Sequence, residues 1–489
     1  MLIACEGLSA FEIESNEERM SRQSELLKKL DSRAQVSSLK LHSDFFTISF
    51  ISGETYKFSN EGTPIFYIGD NNCWFVNGID SRRKVQSKDN RIQIPYISRD
   101  DNWNWVIDGI ATDVAANTVL SQEDLENSYI SYIVLAEDWI HVYLYNGDPI
   151  HVPVVTDSFY KVPSYFLDSL IKKERKAESF IESAGDACAS FVFLTDTHWG
   201  KNMQHSPSLI RHIIDYTPLD DVIFGGDVVT SHSSNLVTPM ETGKDFQKSF
   251  SFLGTRFHCL YGNHDNNSDQ QRSKTEYHLS DEQVFSFLQS QMTDVTFGGY
   301  FNFYYDNPVT KTRIIGLDTG RFNYTAYRDK LPATVQFTVD ALNSLPPDWH
   351  AIMASHIWCK ATRQSDGSYK YSIDSIIKPI LKVFDDYNNR LSGKYSYSGS
   401  IIQYDFTDAL GRVEFCIGGH IHNNYLCYSD GGIPVVSIFP DYLINSEARG
   451  TYFEQSVTIV VTDYQSRKLH LIVVGKGEDR HIDLLDLNP

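Results

Sequence analysis

The chain has 489 residues, 41% of them apolar and 22% charged, a make-up that excludes a disordered or fibrous protein and leaves room for two or three domains. Its formal net charge of −20 repels long nucleic acid and anionic membrane surfaces, and no run of 18 apolar residues offers a membrane-spanning helix. A phosphate substrate stays open, because bound metal cations reverse the sign inside a site.

Aromatic residues reach 13%, which favours strands. The seven cysteines, Cys5, Cys73, Cys188, Cys259, Cys359, Cys416 and Cys427, are scattered and form no CxxC pair, so a zinc ribbon or thioredoxin motif is unsupported. Their odd number leaves at least one outside any intrachain disulfide.

At the N-terminus, Met1-Leu2-Ile3-Ala4-Cys5 resembles a bacterial lipobox, in which Cys5 would carry a lipid and attach the protein to a membrane of the cell envelope. A complete signal has a basic start and an apolar run, which this sequence does not contain ahead of Cys5. A chance match explains the residues equally, and the chain would then be cytoplasmic.

Residues Glu12 to Leu39 read as a helix. Ile13, Met20, Leu27 and Ala34 recur every seven residues, a short coiled-coil seam that would support an oligomer. An amphipathic helix packed on its own domain accounts for the same spacing. Residues 1–40 are read as this N-terminal helix with the anchor.

Residues 41–160 read as a β-rich repeat module. The runs Asp44–Gly53 and Asp138–Gly147 alternate apolar and polar residues and predict β-hairpins, the second turning at Asn146-Gly147. Between them, Pro64, Trp74 and Gly78 match Pro95, Trp105 and Gly109 at one constant offset. This predicts a duplicated strand–turn–strand unit with a buried Trp. The pattern is loosely similar to β modules of bacterial surface lipoproteins and phage tail proteins. It carries no catalytic constellation, and the Asp and Asn residues around Asp70 and Asp100 suit turns better than calcium. Residues 161–186 read as a charged linker helix ending at Gly185.

From residue 187 onward the chain changes character. Five apolar runs each end in metal-ligand residue types: Phe191–Thr195 before Asp196 and His198, Val222–Gly226 before Asp227, His258–Gly262 before Asn263-His264-Asp265, Ala351–Ser355 before His356, and Val413–Gly419 before His420 and His422. Open α/β sheets place ligands beyond the carboxyl ends of their strands. Imidazole and carboxylate together favour zinc, manganese or iron, and one carboxylate can bridge two ions. Any one of these motifs is trivial by itself; five in order are not.

DTH, GGD, GNHD, a lone His and GHIH, in this order, resemble the calcineurin-like metallophosphoesterases. Asp318 in IIGLDTG and Gln336-Phe337 fit the same resemblance, and the long stretch between GNHD and His356 reads as carrying an insertion. The resemblance implies an α/β fold, a two-sheet α/β/β/α sandwich over residues 187–489. It implies two metal ions, the first on Asp196, His198, Asp227 and His422, the second on Asp227, Asn263, His356 and His420. It further implies a hydroxide bridging the ions as nucleophile, His264 as the catalytic phosphate-binding and leaving-group residue, and Asp265 orienting it. The substrate would be a small phosphoester or a phosphorylated molecule, monoester or diester, with no long nucleic acid expected. A surface binding or scaffold protein, with the N-terminal β module in the main role, is the alternative.

Overall fold

The computed structural model describes residues 15–88, 91–116, 120–136, 138–157, 160–199, 205–269, 274–299, 301–320, 329–397, 399–442 and 446–486. Cys5 and its lipobox, and Ile13, lie outside them. The chain divides into two compact units, Met1–Lys161 and Val162–Pro489. None of the described helices is long and apolar enough to cross a membrane.

In the first unit a helix spans Asn16–Asp31. Ser15 caps it: the Ser15 hydroxyl accepts the Glu18 N–H at 3.2 Å, and the Glu18 carboxylate accepts the Ser15 N–H at 3.1 Å. Its buried face is Arg19, Gln23, Leu26 and Leu30. Leu26 and Leu30 join Phe46, Ile48, Ile133 and Ile140 in one core, with Leu27 and Ala34 of the seven-residue repeat packed against it, so the helix packs on its own unit.

The expected helix to Leu39 is too long. Arg33 takes a φ of 54°, which ends the helix, and Val36–Leu41 is a strand paired antiparallel with Phe45–Phe50. No glycine or proline marks this break in the sequence, so helical spacing ran on past it. Cross-strand pairing with Phe45–Phe50 overrides that local signal.

Both expected hairpins are present. Phe45–Phe50 pairs with Thr55–Ser59, and Trp139–Leu144 pairs with Ile150–Pro153. The duplication extends to individual hydrogen bonds. Asn77 donates its N–H to the Ile65 carbonyl while its side chain accepts the Ile65 N–H; Asp108 makes the same two bonds with Tyr96. Asn77-Gly78 and Asp108-Gly109 both have positive φ, as a tight hairpin turn with right-handed strand twist requires. Trp74 and Trp105 are each 1% exposed and share a core with Phe66, Ile107 and Val134. Asp100 accepts the N–H groups of Asn102 and Asn104, which is turn chemistry.

Among the described residues of the second unit, two larger sheets form. The first is ordered Phe257–Cys259, Asp221–Phe224, Cys188–Leu194, Ser456–Asp463, Lys468–Gly475, Arg480–Asp483, with its first three strands parallel. The second runs Thr296–Phe297, Phe303–Asn307, Thr312–Leu317, His350–Ser355, Arg412–Gly418, Pro434–Ser437, Tyr425–Tyr428, with the four strands from Thr312–Leu317 to Pro434–Ser437 parallel.

Strand alternation explains the layering. Ile352 and Ala354 enter one core with Phe193 and Val460 of the first sheet. Ala351 and Met353, one residue out of step, enter another with Leu331 and Val335 of the helix Leu331–Asn343 and Ile380 and Phe384 of the helix Lys378–Asn388. The unit is thus a two-sheet α/β sandwich. The charged helix read as a linker, Ser164–Ala184, belongs to this second unit, against Ser456–Asp463 and Lys468–Gly475. The long stretch before His356, read as carrying an insertion, supplies the first three strands of the second sheet and the helix holding Gln336 and Phe337.

Because Trp74 and Trp105 occupy equivalent places, Trp74→Ala and Trp105→Ala should destabilise the first unit similarly, each by about 3–5 kcal/mol. Urea titration followed by circular dichroism checks this; a cost below about 1 kcal/mol at either site contradicts the duplicated core.

Candidate metal centre

Parallel strands of both sheets end at one place. Cys188–Leu194 delivers Asp196 and His198, Asp221–Phe224 delivers Asp227, Phe257–Cys259 delivers Asn263, His350–Ser355 delivers His356, and Arg412–Gly418 delivers His420 and His422. The ligand atoms gather into two groups, Asp196 with His198 and His422, and Asp227 with His356 and His420, each within 4.8 Å. His422 Nε2 lies 3.0 Å from Asp196 Oδ1. His356 Nε2 lies 3.1 Å from Asp227 Oδ2 and 4.0 Å from Asp196 Oδ1, so the two groups meet there.

The loops that carry these ligands are strained and interlocked. Asp196, His198, Asp227, His420 and His422 all have φ between 40° and 71°, a region that non-glycine residues rarely enter. Backbone bonds join the first two loops: Asp196 N–H donates to Gly226 O at 2.9 Å and His198 N–H to Asp227 O at 3.0 Å. Gly262 is held by close approach, since a Cβ there would sit 2.2 Å from Asp227 Oδ1.

Imidazole orientation is set from behind. His356 Nδ1 donates to Gly225 O at 2.7 Å and His198 Nδ1 to Val229 O at 3.2 Å, which leaves Nε2 as the atom of each ring that faces inward. Tyr442 Oη stands 3.1 Å from His422 Nδ1 and fixes that ring the same way, and its own ring packs edge-on to His198. Tyr442 follows Pro434–Ser437, a sixth strand with the same arrangement as the five recognised in the sequence. The apolar run Ile433–Ser437 was the available signal; a tyrosine after it is no ligand type and gave none.

Asp265 is placed differently from expectation. Its carboxylate accepts the backbone N–H groups of Asp227, Val228, Val229 and Gly262 at 2.7–3.1 Å, and none of these bonds involves His264. The chain turns sharply after Asn263, so adjacent side chains diverge: His264 faces the centre, and Asp265 points back under the Asp227 loop. His264 Nδ1 instead donates to Thr230 O at 3.2 Å, and its Nε2 lies 3.5 Å from Asp269 Oδ2 and 3.8 Å from Asp227 Oδ2. Asp318 lies at the end of Thr312–Leu317, its N–H donating to Asn302 Oδ1.

Charge in this pocket is finely balanced. Burial pushes the Asp196 carboxyl up, but His422 and His356 together outweigh it and hold the group below the usual carboxylate range. Asp227 is likewise raised by burial and lowered further by His356 and His264. Burial lowers His356, yet Asp227 and Asp196 lift it to about 10. His198 and His420 are driven by burial to about 4. Asp265, raised by burial and by Asp227, reaches about 7.

The residues fit metal ions. Among the described residues, Asn263 Oδ1 and His356 Nε2 are buried side-chain atoms with no hydrogen-bond partner, the His356–Asp227 contact lacking a hydrogen bond's direction. Buried polar atoms are rarely left so, and a cation supplies the missing partner of each. The donor set of imidazole, carboxylate and amide oxygen suits ions such as zinc, manganese or iron.

Fold and site together define a metal-dependent hydrolase. The family model described as calcineurin-like phosphoesterase matches residues 189–424, and this part of the chain belongs to that family. The second unit is therefore a metal-dependent phosphoesterase. No curated protein matches the chain. Among solved structures, it is similar to a dimetal phosphatase from Danio rerio, at 11% identity over 60% of this chain and 98% of that one, with a TM-score of 0.39. A second solved chain is similar at 10% identity over 61% of this chain and 100% of that one, TM-score 0.33. Likenesses this distant add nothing to the reading of the site.

Two outcomes follow from the geometry. Between pH 7 and 9 the metal-free His356 holds a proton that a metal ligand cannot keep, whereas His198 and His420 are already neutral. Metal binding should release about one proton from His356, and apparent affinity should rise about tenfold per pH unit for each proton displaced, levelling near pH 10. Calorimetry in two buffers of different ionisation enthalpy measures the release; none at pH 8 contradicts it. Asp265→Asn keeps one oxygen for two of the four N–H donors but turns an NH₂ group towards the other two, so stability should fall by about 1–3 kcal/mol and metal content with it. Thermal unfolding and metal analysis check this, and wild-type values for both would refute the clamp.

Proposed function

We propose that this centre holds two metal ions and hydrolyses a phosphate monoester or diester of a small or phosphorylated molecule. Asp196, His198, Asp227 and His422 would hold the first ion, and Asp227, Asn263, His356 and His420 the second, with Asp227 common to both sets. The observation that carries this reading is the meeting of the two ligand groups at His356 Nε2, with Asp227 Oδ2 at 3.1 Å and Asp196 Oδ1 at 4.0 Å. Ions bound there supply Lewis acidity towards phosphate oxygens and an acidified water as nucleophile at neutral pH.

The chain's own groups do the rest. The imidazoles and carboxylates position the reacting phosphate by holding the cations in place, behind walls that exclude bulk water from Asp196 and Asp227. His264 Nδ1–H is tied to Thr230 O, so its Nε2 is the atom that meets substrate, binding a phosphate oxygen and protonating the leaving oxygen. Asp269, 3.5 Å from Nε2, holds that edge of the ring in place until substrate arrives. The net charge of −20 favours small or isolated phosphoesters over long nucleic acid.

The test uses metal-stripped protein reloaded with manganese, zinc or iron against alkyl and aryl phosphate mono- and diesters. Wild type should turn over at least one class with metal and none without. His264→Ala should keep its metals while kcat on an alkyl ester falls about 10²-fold or more, the range for lost acid catalysis. The loss should shrink for p-nitrophenyl esters, whose leaving group needs little protonation. Lost metal, or equal losses on both esters, refutes the role given to His264.

A further inference from the structure

Two cysteines lie just past the ligand segments. Cys359 opens the strand Cys359–Arg363, immediately beyond the segment of His356. Cys427 lies in Tyr425–Tyr428, beyond the loop of His420 and His422. Their sulfurs are 3.7 Å apart. Both are free thiols, Cys359 fully buried and Cys427 half-buried. Cys427 lines an open groove of about 770 Å³, along with Tyr425, Lys360, Lys378, Asp385 and Asp430.

We infer that Cys359 and Cys427 form a reversible disulfide site that reacts with small-molecule disulfides and, resting on the two-metal reading, tunes the metal centre. The groove sets the order of events, because only Cys427 reaches it. The contact with the Cys359 thiol also draws the Cys427 thiol below its usual range, against its burial, while the same contact raises Cys359. The Cys427 thiolate attacks one sulfur of the incoming disulfide, whose S–S bond breaks, giving a mixed disulfide and one free thiolate. That thiolate takes the Cys359 proton. The Cys359 sulfur then attacks Cys427 and expels the second small thiol. Two protein thiols are oxidised to one disulfide, and one small disulfide is reduced to two thiols.

Closure has a mechanical consequence. The sulfurs must move from 3.7 Å to about 2.0 Å. That draws the segment following His356 towards the strand following His422, and metal ligands tolerate position errors of only about 0.2 Å. The bond therefore pulls on ligands of both groups at once.

The experiment treats the full chain, with and without manganese, with millimolar oxidised glutathione. Peptide mapping without reductant reads the thiols, and metal titration reads the centre. The expected result is a Cys359–Cys427 cross-linked peptide and metal affinity lowered about tenfold or more, the range seen when the support of a metal ligand is disturbed. Dithiothreitol should reverse both, and C359S and C427S should each show neither. If buried C359S fails to fold, C427S at the half-exposed position carries the comparison. No cross-link in folded wild type, or a cross-link with unchanged metal affinity, overturns the inference. Reduced protein that binds no metal overturns the two-metal reading and the coupling together, while the peptide map still decides the thiol site.

Discussion

Two carboxylates, Asp196 and Asp227, share one dry pocket, and neither can stay ionised there without positive charge beside it. This constraint organises the second unit. Without metal, the imidazoles beside them are the available compensation: His422 Nε2 lies 3.0 Å from Asp196, and His356, 3.1 Å from Asp227, is lifted against its burial to about 10 by the two carboxylates. Bound cations would take over that role, with His356 placed to serve as a ligand. A cation bound there would compete with the protons on those imidazoles.

Holding such a site costs conformational strain, and the surrounding structure bears it. Five ligand residues sit at positive φ, and four backbone N–H groups are gathered by the one carboxylate of Asp265. The turns after Leu194 and Phe224 are interlocked by backbone bonds, which fix where their side chains start. Tyr442 extends the same logic to His422, the most exposed ring of the group.

Much of this site could be read from the sequence because a buried parallel strand announces itself as an apolar run, and the ligands follow directly at its end. His356 and His422, singled out in the sequence, are brought into the two groups of metal-ligand residue types. Asp265 was misplaced because adjacency in sequence suggested contact with His264, whereas the turn after Asn263 sends the two side chains apart. Tyr442 and Asp269 were invisible because they contact His422 and His264 from loops that no sequence motif marks. In the first unit the Trp74 and Trp105 repeat was legible through its constant spacing and its turn glycines. The end of the first helix was not, since only pairing of Val36–Leu41 with Phe45–Phe50 reveals it.

The most direct test is anomalous diffraction from crystals of the full chain grown with manganese. Two peaks per chain are expected, one among Asp196, His198 and His422, the other among Asp227, His356 and His420, with Asp227 touching both. A single peak, or peaks away from these residues, would contradict a two-metal centre.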